Sequence, residues 1–361
     1  MSWNTQRLRH GVLGSLLGVM SSVTMAALPA ADVGEALARP ALTATQAELA
    51  RAVLLGIARS GEQRLVAVGE RGLVLLSDDA GAHWRQAQVP VSVTLTAVRF
   101  VGARGAAIGH GGVVLTSEDG GESWTLRLDG RRAAELALAD AEQTVDANLL
   151  GNAQLLVEEG PDKPLLDLDL DEQGRLLVVG AYGMAFASED FGQSWSSWMS
   201  RLENPSGYHL YAVRRNGEHL LVAGERGILL RSEDAGGRFS RVELPYAGSL
   251  FTAELLGERM VVAGLKGSLL YSRDGGQSWQ RLDSGNGASF TASTQAADGA
   301  LYLVDQAGQV FGWQQGKPVR RSSQPLPPLN AILSLDAQRF VLLSGLGGVL
   351  TLNTAEQEIR P

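Results

Sequence analysis

Residues 109–124 read GHGGVVLTSEDGGESW: a Gly-x-x-Gly turn, an apolar run, then Ser-x-Asp-x-Gly-x-x-Trp. The same order recurs in GERGLVLLSDDAGAHW (69–84), GAYGMAFASEDFGQSW (180–195), GERGILLRSEDAGGRF (224–239) and GLKGSLLYSRDGGQSW (264–279). Two shorter copies, DQAGQVFGW (305–313) and GLGGVLTLN (345–353), keep the turn and lose the tail. The copies start at 69, 109, 180, 224, 264, 305 and 345. The spacing stays near 40 residues, a period that signals a repeat architecture. The step from 109 to 180 is the exception and holds one further insert.

Each unit reads as four short strands. In the second unit these are VTLTAVRF (93–100), RGAAIG (104–109), VVLTS (113–117) and WTLRL (124–128). Their apolar and β-branched content, punctuated by Gly and Asp, favours strand over helix. Four-stranded units of this length predict an all-β fold, a seven-bladed β-propeller over residues 51–361. A β-solenoid or sandwich lacks such a unit with a fixed turn. The 44 glycines in 361 residues suit many tight turns.

The tail predicts a mechanical role at the turn between third and fourth strands. Ser and Asp side chains accept backbone N–H groups in tight loops. Gly takes positive φ, and the aromatic ring packs as the outer strand begins. The residues are Ser77, Asp79, Gly81 and Trp84; Ser117, Asp119, Gly121 and Trp124; Ser188, Asp190, Gly192 and Trp195; Ser232, Asp234, Gly236 and Phe239; and Ser272, Asp274, Gly276 and Trp279. A feature repeated five times around a ring is a staple before it is a catalytic site.

Two segments depart from the repeat. Residues 130–160, between blades 2 and 3, are rich in helix formers. They predict a helical insert broken near Gly151 and Asn152, on the rim of the Gly-x-x-Gly turns. The insert is either a flap over that face or a decoration packed on the rim. Residues 1–26 carry Arg7 and Arg9 before an uncharged apolar run ending in Thr24-Met25-Ala26. This is the pattern of a secretory signal peptide cut before Ala27. The 16-residue apolar run at 11–26 is short for a membrane anchor. The expectation is a periplasmic or secreted protein with no membrane span after cleavage. Residues 27–50 form an N-terminal segment, and 39–43 are a candidate outer strand for the eroded seventh blade.

Net charge is −8, which argues against nucleic-acid binding. With no Cys there is no disulfide, thiolate metal site or Cys nucleophile. The five His form no zinc-ligand spacing, and no nucleophile elbow or phosphate loop is present. No catalytic residue, metal or cofactor is assigned. LDLDLD (166–171) alternates with period two, so its Leu face is expected in the core and its Asp face in water. Tyr208, His209 and Tyr211 are expected to pack. The middles of the Gly-x-x-Gly turns vary and supply the binding candidates Arg71, His110, Tyr182, Arg226 and Lys266. Binding residues concentrate on loops held by a rigid scaffold. An Arg-rich face in an acidic protein would favour carboxylates and carbonyls of a partner.

The Ser-x-Asp-x-Gly-x-x-Trp copies resemble the Asp-box of the bacterial neuraminidase repeat. Sialidases carry it on six blades with an N-terminal Phe-Arg-Ile-Pro motif, which is absent here. The sequence over 51–361, above all 69–124 and 180–279, is similar to the photosystem II stability and assembly factor family and its exported bacterial relatives. That resemblance implies a seven-bladed, non-enzymatic scaffold that binds a membrane protein or complex, for assembly or for a transport system. It implies a basic face at Arg71, Arg226 and Lys266. This chain departs from the family in lacking a lipid-anchor Cys, in the insert, and in its eroded repeats after 305. The competing functions are an Asp-box glycoside hydrolase, which needs a carboxylate pair in a cleft, and a lectin-like module using Tyr182 and Tyr246.

Overall fold

The second strand of every blade is a continuous apolar run: Leu65–Val68, Ala106–Ile108, Leu176–Val179, Leu220–Ala223, Met260–Ala263, Leu301–Val304 and Phe340–Leu343, all buried. A strand covered on both faces loses the polar alternation of a half-exposed one. Here the covers are the neighbouring blades. The computed structural model describes residues 33–285, 287–322, 326–355 and 358–360. It shows seven four-stranded antiparallel sheets, each built from consecutive strands. The expected signal peptide lies outside the described residues. Among the described residues no helix is long and apolar enough to cross a membrane.

The inner strands are Leu54–Ser60, Leu95–Val101, Leu165–Leu170, Leu210–Asn216, Leu250–Leu256, Phe290–Gln295 and Leu329–Ser334. Each pairs only with its own second strand and packs beside the inner strands of the adjacent blades. The last meets the first. Asn330 Nδ2 donates to Leu54 O (2.9 Å), and Ala331, Val341 and Leu343 share a cluster with Leu54, Ile57 and Leu65. In all seven blades the ladder slips at the second inner-strand residue: Leu55, Thr96, Leu166, Tyr211, Phe251, Thr291 and Asn330. Such a bulge re-aims a side chain, and all seven line the central channel.

Blade 7 is completed by Glu358–Arg360, which pairs with Asn353 through Thr351. Residues 39–43 therefore do not supply its outer strand. They run along blade 1, where Ala41 N donates to Val89 O (3.1 Å) and Gln86 holds Leu42 and Ala44. Helix α1 (Val33–Ala38) sets Leu37 on the blade 2 turn, in contact distance of a Cβ at Gly111. Helix α2 (Gln46–Leu49), closed by a Thr45–Glu48 capping box, buries Leu49 between blades 7 and 1.

The insert is a helical hairpin, α3 (Gly130–Glu142) and α4 (Ala147–Glu159), capped by Asp129 and Asp146. The break falls at 143–146, not at Gly151 and Asn152, which lie inside α4. Asp146 accepts from Asn148 and Leu149 N–H groups, and this cap decides where the second helix starts. The hairpin lies on the rim. The Asp140 carboxylate binds Ser197 and Ser200 of blade 3 (2.8 Å to each hydroxyl), and Ala133, Ala137 and Leu156 join the blade 3 core. No residue of it lines the channel.

The Ser-Asp turns have one geometry in all five copies. In blade 1, Ser77 Oγ donates to Asp79 Oδ1 (2.8 Å) and accepts from Gly81 N (2.9 Å). Asp79 Oδ1 also accepts from His83 N (2.9 Å). Trp84 Nε1 closes on Gly81 O (3.0 Å), a bond that Phe239 in blade 4 lacks the N–H to make. Gly81, Gly121, Gly192, Gly236 and Gly276 all have φ between 86° and 96°, which an L side chain rarely adopts.

Hydrogen bonds hold the Asp79, Asp190 and Asp274 carboxyls at about 2, below the ordinary 3.8. The first donors are His83 for Asp79, Ser194 for Asp190 and Ser278 for Asp274. A carboxylate lowered in the folded state stabilises fully above its unfolded value, and loses that stabilisation as pH falls through its folded one. The urea midpoint should drop between pH about 4 and 2. Asp→Asn at all three sites should lower the midpoint at pH 7 and flatten this acid limb.

Candidate functional site

One backbone bond fixes every Gly-x-x-Gly turn. The residue after the first Gly donates its N–H to the carbonyl just ahead of the inner strand. The pairs are Glu70 to Val53, His110 to Thr94, Ala181 to Pro164, Glu225 to His209, Leu265 to Ser249 and Gln306 to Ser289, at 2.8–3.0 Å. In blade 7 Gly345 donates to Pro328 (2.6 Å). Each tip is thereby docked beside the channel mouth. The next residue enters the left-handed region: Arg71 (φ 55°), Gly111 (71°), Tyr182 (56°), Arg226 (53°) and Lys266 (55°). For a residue with a Cβ this costs about 1–2 kcal/mol, and such strain clusters at functional sites.

The candidates share this face but not one cluster. Arg71 stands on blade 1, His110 on blade 2, Tyr182 on blade 3, and Arg226 and Lys266 on adjacent blades 4 and 5. All five are exposed. Arg71, Arg226 and Lys266 form no ion pair among the described residues. The Glu70 and Glu225 carboxylates keep their charge but turn to backbone, accepting from Val53 N (3.0 Å) and His209 N (3.3 Å). The Arg226 guanidinium lies 5.6 Å from the Tyr208 ring. His110 belongs to the turn that α1 covers, and burial lowers its pKa. Tyr182 N donates to His209 Nδ1 (2.9 Å), and the two rings are 5.1 Å apart.

That contact begins an aromatic run that sequence reasoning assigned only to packing. His209 lies 6.2 Å from Tyr211, and Tyr211 makes an edge contact with Phe251 at 5.2 Å. Tyr211 and Phe251 are bulged residues at the mouth of a 470 Å³ channel. The period-two reading of the inner strands could not reveal them, because the bulge shifts the side-chain alternation by one. Tyr246, the lectin candidate, commits its hydroxyl to Leu265 O (3.1 Å).

Deeper in the channel an ionic belt spans five blades. Arg99 of blade 2 and Arg214 of blade 4 both bind Asp167 of blade 3 (3.0 Å from Arg99). Val213 N donates to the same carboxylate (3.1 Å). Arg214 also faces Glu254 of blade 5 (3.6 Å), which accepts from Ser293 and Gln295 of blade 6. The LDLDLD run thus departs from expectation. Asp167 is 5% exposed, and Asp169 pairs with Arg215. An inner strand faces the channel rather than water, so its Asp face needs arginines. Burial opposes the Arg214 charge, but Asp167 and then Glu254 raise its pKa above the ordinary value. Burial pushes the Asp169 carboxyl up, against the pull of Arg215.

The description of the family "Photosynthesis system II assembly factor YCF48" matches residues 42–160 and 152–312. The chain belongs to this family. No curated protein matches it. Among solved structures it is similar to YCF48 from Cyanidioschyzon merolae, with TM-score 0.62 and 17% identity over 88% of this chain and 99% of that one. It is also similar to YCF48 bound to a D1 peptide, with TM-score 0.61 and 15% identity over 84% and 93%. A Niastella koreensis GH74 enzyme shares the fold, with TM-score 0.55 and 15% identity over 86% of this chain and 44% of that one. At such identities these likenesses speak for the fold.

Two outcomes are expected. Asp167→Ala leaves Arg214 buried without its main partner and should cost about 3–5 kcal/mol in urea unfolding. Arg226→Gly relieves the left-handed strain against a gain in unfolded-chain entropy. It should leave stability unchanged or raise it by up to about 1 kcal/mol, whereas Gly227→Ala, at φ 73° and against Tyr246 O, should lower it.

Proposed function

We propose that this chain is an exported, non-enzymatic assembly scaffold. Its Gly-x-x-Gly face holds an extended, acidic segment of a membrane-protein partner. The observation that carries this reading is the set of three exposed cations, Arg71, Arg226 and Lys266, that form no ion pair among the described residues. Each sits at a strained position where glycine would fit better. Fork-shaped Arg donors suit carboxylates and backbone carbonyls. Membership of an assembly-factor family and a family structure that carries a D1 peptide support a polypeptide partner. The α3–α4 hairpin offers a second contact on the same rim, with Val145, Leu155 and Val157 exposed. Export rests on the apolar pattern of residues 11–26.

A hydrolase reading finds less support. Both carboxylates that line the channel, Asp167 and Glu254, are saturated by Arg, Ser, Gln and backbone donors. A general acid needs a raised pKa and a free proton.

The test is a crosslinking pull-down from solubilised membranes of the source cells with the mature chain. The wild type should capture one membrane complex, and Arg71→Glu/Arg226→Glu/Lys266→Glu should lose it. Equal capture by both would remove this face from the reading.

A further inference from the structure

The channel mouth has a chemistry of its own. Its threonine and asparagine side chains are already committed. Thr96 Oγ1 donates to Leu165 O of the next blade (2.7 Å), Thr291 Oγ1 to Leu329 O (2.7 Å) and Asn330 Nδ2 to Leu54 O (2.9 Å). What the mouth presents to a visitor is therefore the half-buried rings of Tyr211 and Phe251, with Leu55 and Leu166. Below them the Arg99–Asp167–Arg214–Glu254 belt crosses the channel. Arg99, Arg214 and Glu254 lie three residues further along their strands, about 10 Å at the strand rise, and Asp167 one residue beyond Leu166, about 3 Å. A buried ionic floor repels a long apolar insertion but leaves room above it. The 470 Å³ channel, of which this mouth is one end, lies within the range of small binding pockets.

The same two blades supply the charges and the rings. Tyr211 lies two residues beyond His209, whose carbonyl docks the tip bearing Arg226. Phe251 lies two residues beyond Ser249, whose carbonyl docks the tip bearing Lys266. Among the described residues, neither 33–50 nor the helical hairpin lines this channel. We infer that the channel mouth at blades 4 and 5 is an anchor pocket for one aromatic or large aliphatic side chain. That side chain projects from a partner segment whose flanking acidic residues meet Arg226 and Lys266. An apolar anchor in a desolvated pocket ringed by charge is how a few residues come to dominate binding energy. The occupant follows from charge complementarity: the exposed cations Arg226 and Lys266 stand on the tips of the two blades that supply the rings, and the Thr96 and Thr291 hydroxyls are already bonded. The inference rests on the proposed function and adds the partner's side-chain class.

The test uses two fluorescein-labelled, end-blocked peptides, Gly-Glu-Glu-Phe-Glu-Glu-Gly and the same sequence with Ala for Phe. Anisotropy is read with the mature wild type, Phe251→Ala, and Arg226→Glu/Lys266→Glu. The Phe peptide should bind the wild type at least ten-fold more tightly than the Ala peptide. That preference should fall below three-fold in Phe251→Ala, whose unfolding midpoint checks that it is folded. The charge reversal should weaken both peptides. Equal binding of the two peptides to the wild type, with the charge reversal still weakening both, would overturn the anchor and leave the basic face standing. A Phe preference undiminished in Phe251→Ala would also overturn it. Binding of neither peptide would count against the basic face and the anchor together.

Discussion

A single N–H to carbonyl bond, made once per blade, ties the tip of each Gly-x-x-Gly turn to the residue ahead of its own inner strand. Everything that points outward on that face depends on it. The bond brings the outermost side chain of the turn and the innermost side chain of the blade to one edge. A substitution at a tip therefore acts beside the channel mouth without touching the packed strands. The fold separates structure from chemistry in this way. Buried second strands hold the ring, and the middle two residues of each turn are left to vary.

The channel shows how the ring tolerates charge. Burying an isolated guanidinium is costly, and a buried pair recovers that cost only when its remaining groups are satisfied. Here Asp167 takes two arginines and a backbone N–H, and Glu254 takes two neutral donors beside Arg214. Neither carboxylate takes a partner from its own blade. The belt therefore stabilises blade order as much as any one blade, and an error in register would strand a charge.

The repeat made the architecture legible. A fixed Gly-x-x-Gly turn, an apolar run and a Ser-Asp turn at constant spacing leave few alternatives to four-stranded blades, and the turn tips are readable because they interrupt apolar runs. Three things were not legible. The bulge at Tyr211 and Phe251 leaves no compositional mark, since it displaces the alternation without breaking it. The Asp face of 166–171 looked solvated because counting period two along one strand cannot show that Arg99 and Arg214 face it from two other blades. Ring closure was misplaced because Glu358–Arg360 carries neither an apolar run nor a turn signal, so a distant segment was the nearer guess.

That closure has a bearing on how the molecule is made. Many rings could be latched by a strand from the opposite end of the chain, but here the last blade is built wholly from the C-terminal segment. The latch is instead a lateral seam, made by Asn330, Arg59 and the α2 wedge against the blade 7 turn. Until the final blade is synthesised and delivered, the first six form an open arc. In that arc the apolar flank of blade 1, with Leu54, Ile57 and Leu65, lacks the cover of Ala331, Val341 and Leu343. Closing the ring therefore buries, in one step, apolar surface contributed by the two ends of the propeller.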